Sequence, residues 1–337
     1  MSRKAVSWII KIAGTALILA FLFSRIRFST SEFVEVISSL NPLYFLLSLF
    51  GVVIILAVKS FRWKLLLQGE GVDYHPFKAL SAYLASFTIG IVTPGRIGEI
   101  ARLYYVREDV PVKFYDAFKT VVADRIFDLT TLFILGTSGV LFYIKALGSL
   151  PGYTYGLIVL AAFVFLYASA WFIFNKMIKM KMFGRFHILH FLRDTWFLII
   201  NKRSVFCWLI TLFAYVVYFI TAGWIFESLE INLSFIDVAF ILGIMSLVTI
   251  IPISIAGFGT REASLVILLS QYGISSEMAL SFSLLQFLAF FLWGAIIGTI
   301  FWILKPVSLK LVKEDSLSIW KLVTGIDQKA GNSGPVL

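Results

Sequence analysis

The 337 residues are 60% hydrophobic and 14% charged, with a mean hydropathy of +0.93 and a formal net charge of +10. A soluble domain carries about 25% charged residues, so this chain has too few to coat a water-soluble core, and disorder, a collagen-like fold and a disulfide scaffold built on the one cysteine, Cys207, are excluded as well. The expected class is an all-α polytopic membrane protein. Its apolar runs are continuous and of helical length, not the alternating segments of about 10 residues that mark a membrane barrel. The positive charge is read as cytoplasmic loops facing anionic lipid, with no nucleic acid as partner.

In chain order, the first span is 8–23, behind Arg3 and Lys4. It is kept as a retained span because Lys11 interrupts it and no small-residue cleavage site follows. The second span is 42–58, followed by a basic stretch with Lys59, Arg62 and Lys64. The run 77–106 is broken by Thr93-Pro94-Gly95-Arg96-Ile97-Gly98-Glu99 into two arms, each short for a hydrocarbon core of about 30 Å. A long span, 119–144, carries Asp124, Arg125 and Asp128, and 153–174 spans again. Residues 175–203 are amphipathic and basic, with seven Lys and Arg against Asp194, and suit the cytoplasmic leaflet surface. Residues 204–226 span. The run 236–255 breaks at Ala256-Gly257-Phe258-Gly259-Thr260-Arg261-Glu262, and a short arm continues to about Tyr272. The last span is 277–304, and a polar tail follows.

The N-terminus, the loop 59–78, the segment 175–203 and the tail after 305 are the basic places, and all four lie in the cytoplasm only if each broken run makes an even number of crossings. Each is then a re-entrant hairpin or a pair of short spans, one entered from each side. Residues 1–145 and 146–304 therefore read as two inverted repeats, with 305–337 a cytoplasmic tail. About six full spans plus two broken elements are expected, with both termini cytoplasmic in the plasma (inner) membrane. Interrupted helices in inverted repeats are a transporter signature, with the site near the midplane.

Ionisable residues inside apolar runs cost several kcal/mol and need a reason. Eight qualify as candidate substrate-binding residues: Arg96, Glu99, Arg102, Asp124, Arg125, Asp128, Arg261 and Glu262. Arg96, Glu99 and Arg102, spaced i, i+3, i+6, share a helix face, as do Asp124 and Asp128 at i, i+4. Pro94, Gly95, Gly98, Pro252, Gly257, Gly259 and Thr260 are the break and hinge positions. Each break should expose a helix start whose N–H groups and dipole attract an anion, with Arg96 and Arg261 supplying the charge. The bland alternative is that the eight, which sum to zero charge, pair with one another as structural clamps. No metal site, cofactor or catalytic residue is expected: His75, His187 and His190 form no zinc motif, and no Walker A sequence is present.

The three ordered motifs, 94–102, Asp124-Arg125-Ile126-Phe127-Asp128 and 251–262, together with Arg62-Trp63, resemble the lysylphosphatidylglycerol synthetase transmembrane family. Asp124 stands where that pattern has Glu. The resemblance implies a flippase-like protein that moves a lipid with a polar headgroup, an aminoacylated phospholipid or a polyprenyl-linked sugar among the classes. Members with synthetase activity carry a soluble aminoacyl-transfer domain. Residues 305–337 are too few for one, so that activity is not expected. The expected function is a flippase or transporter for a phosphate-bearing lipid, either a phospholipid or a polyprenyl-phosphate carrier. The alternatives are an intramembrane transferase using Asp124 or Asp128 as base, or an accessory subunit of a lipid-modifying enzyme.

Overall fold

The computed structural model describes residues 38, 40–91, 93–144, 187–250 and 259–306. The predicted spans 8–23 and 153–174, the hinge residues Pro252 and Gly257, and the tail beyond 306 lie outside the described residues. What is described is helical, with no strand. The helices are α1 (Pro42–Gly69), α2 (Pro76–Ile91), a 3-10 helix (Pro94–Ala101), α3 (Arg102–Asp109), α4 (Phe114–Ile144), α5 (His187–Ile200), α6 (Ser204–Ser228), α7 (Phe235–Ile250), α8 (Thr260–Ser270) and α9 (Ser276–Gln286). A π-helical stretch (Phe287–Trp293) then leads into α10 (Gly294–Leu304). Among the described residues four helices are long and apolar enough to cross a membrane: α1, α4, α6 and the continuous rod α9–π–α10.

The local causes are ordinary ones. Asn41 caps α1 by accepting the Leu43 N–H at 3.1 Å, and Pro42 occupies the first turn, where its missing N–H costs nothing. Ser275 caps α9 in the same way through the Met278 N–H. Between Gly51 and Gly69 nothing in α1 breaks a helix. The helix therefore runs past Val58, where the sequence reading ended it: Lys59 and Arg62 are helical, not loop residues, with Arg62 buried and Lys59 partly buried. Basic residues behind an apolar run look like a membrane boundary, and here that signal misleads.

Packing follows three close pairs. α1 lies against α6, α4 against α7, and α2 against α10. Small residues allow each approach. A Cβ on Gly51 would meet Thr221 of α6. Gly136 and Gly139 of α4 face Gly243, Leu247, Phe240 and Ile244 of α7. Gly294 and Gly298 of α10 face Phe87, Leu84 and Thr88 of α2. One apolar core gathers Val52, Trp63, Tyr74, Tyr83 and Val106 from α1 to α3. Another gathers Ile225, Phe226, Ile241, Leu265 and Phe282 from α6 to α9. Large apolar side chains such as Val205, Leu209, Leu212, Phe213 and Val216 stay exposed in a stripe along α6, suited to lipid contact.

Two clusters tie the helix ends together. In one, Asp109 at the end of α3 accepts from Tyr74 before α2 (2.8 Å) and from Lys305 after α10 (2.6 Å), with Lys78 at 3.7 Å. In the other, Tyr272 after α8 donates to Asp237 at the start of α7 (2.7 Å) and meets the hydroxyl of Tyr143 at the end of α4. Each broken run therefore folds back so that its two ends meet.

Candidate functional site

The carboxylates of α4 organise a buried network. Their i, i+4 spacing turns Asp124 and Asp128 toward α1, where Lys59 and Arg62 sit one turn apart. Arg62 donates to Asp124 Oδ1 from Nε at 2.8 Å, with Nη2 at 2.7 Å from the same oxygen. From Nη1 it donates to Asp128 Oδ1 and to Thr211 Oγ1 of α6, both at 2.9 Å. Lys59 Nζ lies 3.1 Å from Asp128 Oδ1. On the other side of Asp124, Oδ2 lies 2.8 Å from Arg102 Nη2 of α3. The Arg102 guanidinium sits over the rings of Trp63 and Tyr83, at 5.0 and 4.8 Å. Arg62, Arg102 and Asp124 have fully buried side chains, so α1, α3, α4 and α6 are pinned together through one carboxylate pair.

A second group abuts the first. Glu99 of the 3-10 helix pairs with Arg96 (2.8 Å) and with Arg125 of α4. Arg96 has a left-handed backbone (φ 57°), a costly conformation for a residue with a Cβ. Thr93 shapes the turn: its Oγ1 donates to the Gly90 carbonyl at 2.9 Å and accepts the Gly98 N–H at 2.7 Å. Gly98 acts less as a hinge than as a contact, because a Cβ there would stand 2.4 Å from the Ile89 carbonyl oxygen.

Counted together, and among the described residues, the two groups hold Lys59, Arg62, Arg96, Arg102 and Arg125 against Glu99, Asp124 and Asp128, five cations for three carboxylates. The eight residues chosen from sequence were neutral in sum. Lys59 and Arg62, which that choice left out, make the network cationic. The breaker-free helical stretch after Val58 was the signal that could have found them. Burial is graded: the side chains of Lys59, Arg125 and Arg96 are 19%, 28% and 37% exposed.

Arg261 and Glu262 stand apart from this network. Glu262 accepts the Gly259 N–H at 2.6 Å, capping α8, and pairs with Arg261 at 2.6 Å. Ser283 of α9 bonds both, accepting from Arg261 at 2.9 Å and donating to Glu262 at 2.8 Å. Gly259 needs its φ of 87° to make that turn, and Thr260 opens the helix. Here the pairing expected of structural clamps is present. Both helix starts also spend N–H groups internally, Gly98 on Thr93 and Gly259 on Glu262, which weakens the expectation of free anion-binding N–H groups there. Arg96 and Arg261 still approach a common feature. They lie over Phe291 and Phe287, whose rings stack 5.7 Å apart on the π-helical stretch. Such stretches are frequent at functional sites. Pro94 and Gly95 open the 3-10 helix, as the break requires.

Among the described residues no group of three or more His, Cys, Asp or Glu could hold a metal ion. Two clefts of about 310 and 340 Å³ lie elsewhere, one beside Tyr44, Trp224 and Glu227, the other beside Glu70, Asp194 and Asn201.

The chain matches the family described as the lysylphosphatidylglycerol synthase TM region over residues 8–298. It is also similar to a UPF0104 membrane protein of Methanocaldococcus jannaschii, 23% identical over 322 residues, covering 84% of this chain and 92% of that one. Residues 8–298 include every member of the buried network, so the network is a feature of the matched region, and the chain belongs to the lysylphosphatidylglycerol synthase transmembrane-region family.

Proposed function

We propose that this protein moves a lipid with a phosphate-bearing headgroup, a phospholipid or a polyprenyl-phosphate carrier, between membrane leaflets. The observation that carries the reading is the surplus of cations over carboxylates in a network set among membrane-length helices. Uncompensated charge at such depth is expensive, and functional by default. An anionic headgroup would offset it. Membership of the family supports a membrane lipid-related role.

The architecture proposed for this task is a pair of inverted repeats, 1–145 and 146–304, with both termini in the cytoplasm. Packing supports it. Under a two-fold relation that exchanges the halves, α1 against α6 maps onto itself, and α4 against α7 maps onto α10 against α2. The end clusters exchange as well: Asp109 with Tyr74 and Lys305 corresponds to Tyr272 with Asp237 and Tyr143. The cluster holding Lys78 and Lys305 belongs at the cytoplasmic surface by the positive-inside rule. Each broken run then enters and leaves from one side, as a re-entrant hairpin does.

The transferase alternative needs a free base, whereas Asp124 pairs each of its oxygens with an arginine and Asp128 pairs Oδ1 with Arg62 and Lys59. The test is transbilayer movement of labelled phospholipids and a polyprenyl phosphate in liposomes holding the purified protein, beside Arg96→Ala and Arg261→Ala. Movement of a phosphate-bearing lipid that falls at least tenfold in Arg96→Ala supports the proposal. Folded protein that moves no lipid would overturn it in favour of the accessory reading. Loss in Arg261→Ala would extend the site to the second break.

A further inference from the structure

The cation surplus has a magnitude and a location. Among the described residues five cations face three carboxylates, an excess of two formal charges. The excess divides evenly. Lys59, Arg62 and Arg102 share Asp124 and Asp128, while Arg96 and Arg125 share Glu99. Burial then decides which cations can meet a ligand. Arg62 and Arg102 are sealed, whereas Lys59, Arg96 and Arg125 keep part of their side chains open. They adjoin through shared partners: Arg96 and Arg125 pair with the same Glu99, and Asp128, the partner of Lys59, follows Arg125 by one turn of α4. Nε of Arg125, one of the partly open cations, has no hydrogen-bond acceptor among the described residues. An excess of two charges, with an unused N–H donor on Arg125, calls for a doubly charged group with acceptor oxygens.

We infer that the headgroup held at Lys59, Arg96 and Arg125 is a terminal phosphate monoester in its dianionic form, in preference to a phosphodiester. This rests on the lipid-moving reading above and narrows it. A phosphodiester brings one negative charge and leaves one buried cation uncompensated. A monoester brings two charges and three terminal oxygens. The remaining titratable and charged groups around the site are Arg62 of α1, Tyr83 of α2, Glu99, Arg102, Asp124, Asp128, and Tyr215 of α6, which lies 5.1 Å from Lys59.

The experiment uses the full-length protein in liposomes and measures three probes: labelled phosphatidic acid (a monoester), labelled phosphatidylglycerol (a diester) and inorganic phosphate. At pH 7.5 phosphatidic acid should move at least tenfold faster than phosphatidylglycerol. With a second pKa of about 6, the dianionic fraction falls about fourfold from pH 7.5 to 5.5, and movement at sub-saturating lipid should fall with it. Arg125→Gln, which removes one of the two surplus charges, should shrink the monoester preference at least threefold, with its thermal midpoint in detergent confirming that it folds. Equal movement of both lipids, or a preference indifferent to pH, would overturn the inference and leave the flippase reading standing. Transport of inorganic phosphate with no lipid movement would overturn the lipid reading and keep the dianion assignment.

Discussion

Asp124→Asn should be among the most destabilising single changes in the protein. The carboxylate is fully buried and receives Arg62 at 2.7–2.8 Å and Arg102 at 2.8 Å. The amide is nearly isosteric, so the loss is electrostatic: two guanidinium groups lose their counter-ion in a site closed to water. Removing one partner of a buried pair costs about 3–5 kcal/mol. An exposed pair in the same protein sets the contrast. Lys78 lies 3.7 Å from Asp109 with a side chain 55% exposed, and Lys78→Ala should cost under about 1 kcal/mol. The cause can be isolated with Arg102, whose ion partner among the described residues is Asp124. Arg102→Met alone leaves Asp124 short of one cation. Combined with Asp124→Asn it restores the balance, so the double variant should be less damaged than the sum of the singles by about 2 kcal/mol. Unfolding by sodium dodecyl sulfate in mixed micelles, followed by helical circular dichroism, measures all four proteins of the cycle. An Asp124→Asn loss below about 1 kcal/mol, or a coupling of zero, would refute the claim that this carboxylate pins the helices.

Three further outcomes are expected. Gly98→Ala should lower stability by about 1–3 kcal/mol, because its Cβ would stand 2.4 Å from a main-chain oxygen that cannot step aside. Gly223→Ala, with open space around it, should be neutral or stabilising, and the two thermal midpoints in detergent give the comparison. Arg96→Gly should be more stable than Arg96→Ala by about 1 kcal/mol in the same assay, since glycine adopts the φ of 57° without a Cβ penalty, while both should lose lipid movement alike. Burial pushes the Asp109 carboxyl up, but hydrogen bonds from Lys305 and Tyr74 outweigh it and hold the group below its usual value of 3.8. A depressed carboxylate contributes stability above its unfolded pKa and loses it as pH falls through the folded one. Acid below about pH 4 should therefore loosen this cluster, and Asp109→Asn should flatten that part of the stability profile.

The helical membrane class, the break at 93–99 and the last span were legible because they depend on local composition. The span read as 277–304 is the rod Ser276–Leu304, and the break between the arms of 77–106 is the 3-10 helix Pro94–Ala101. Partner choice was not legible. Arg62 bonds residues 62, 66 and 149 positions away, and no spacing rule connects those distances. The rule that reads basic residues as a cytoplasmic boundary also pointed the wrong way at Lys59, because it knows nothing of the carboxylates waiting on α4. The π-helical register of 287–293 leaves no mark in Phe-Leu-Ala-Phe-Phe-Leu-Trp that distinguishes it from an ordinary span.

On the proposed inverted repeat the two halves share packing more than sequence, and their end clusters suggest why. Each cluster fastens the start and end of a broken run to the end of a long helix. Geometry sets that task, whereas the surroundings set the chemistry. On the proposed topology, the cluster at the cytoplasmic surface can use lysines, and Asp109 receives Lys305 and Lys78. The cluster at the opposite surface falls where the positive-inside rule disfavours lysine, and there tyrosine hydroxyls do the fastening, Tyr143 to Tyr272 to Asp237. The same division runs through the breaks. The first holds the surplus cations, while the second closes on itself through Arg261, Glu262 and Ser283. If the halves face different leaflets, as proposed, there is no physical reason to keep identical residues at matching positions. What they must keep is the close approach of paired helices. Gly136 and Gly139 preserve that for α4 on α7, and Gly294 and Gly298 preserve it for α10 on α2.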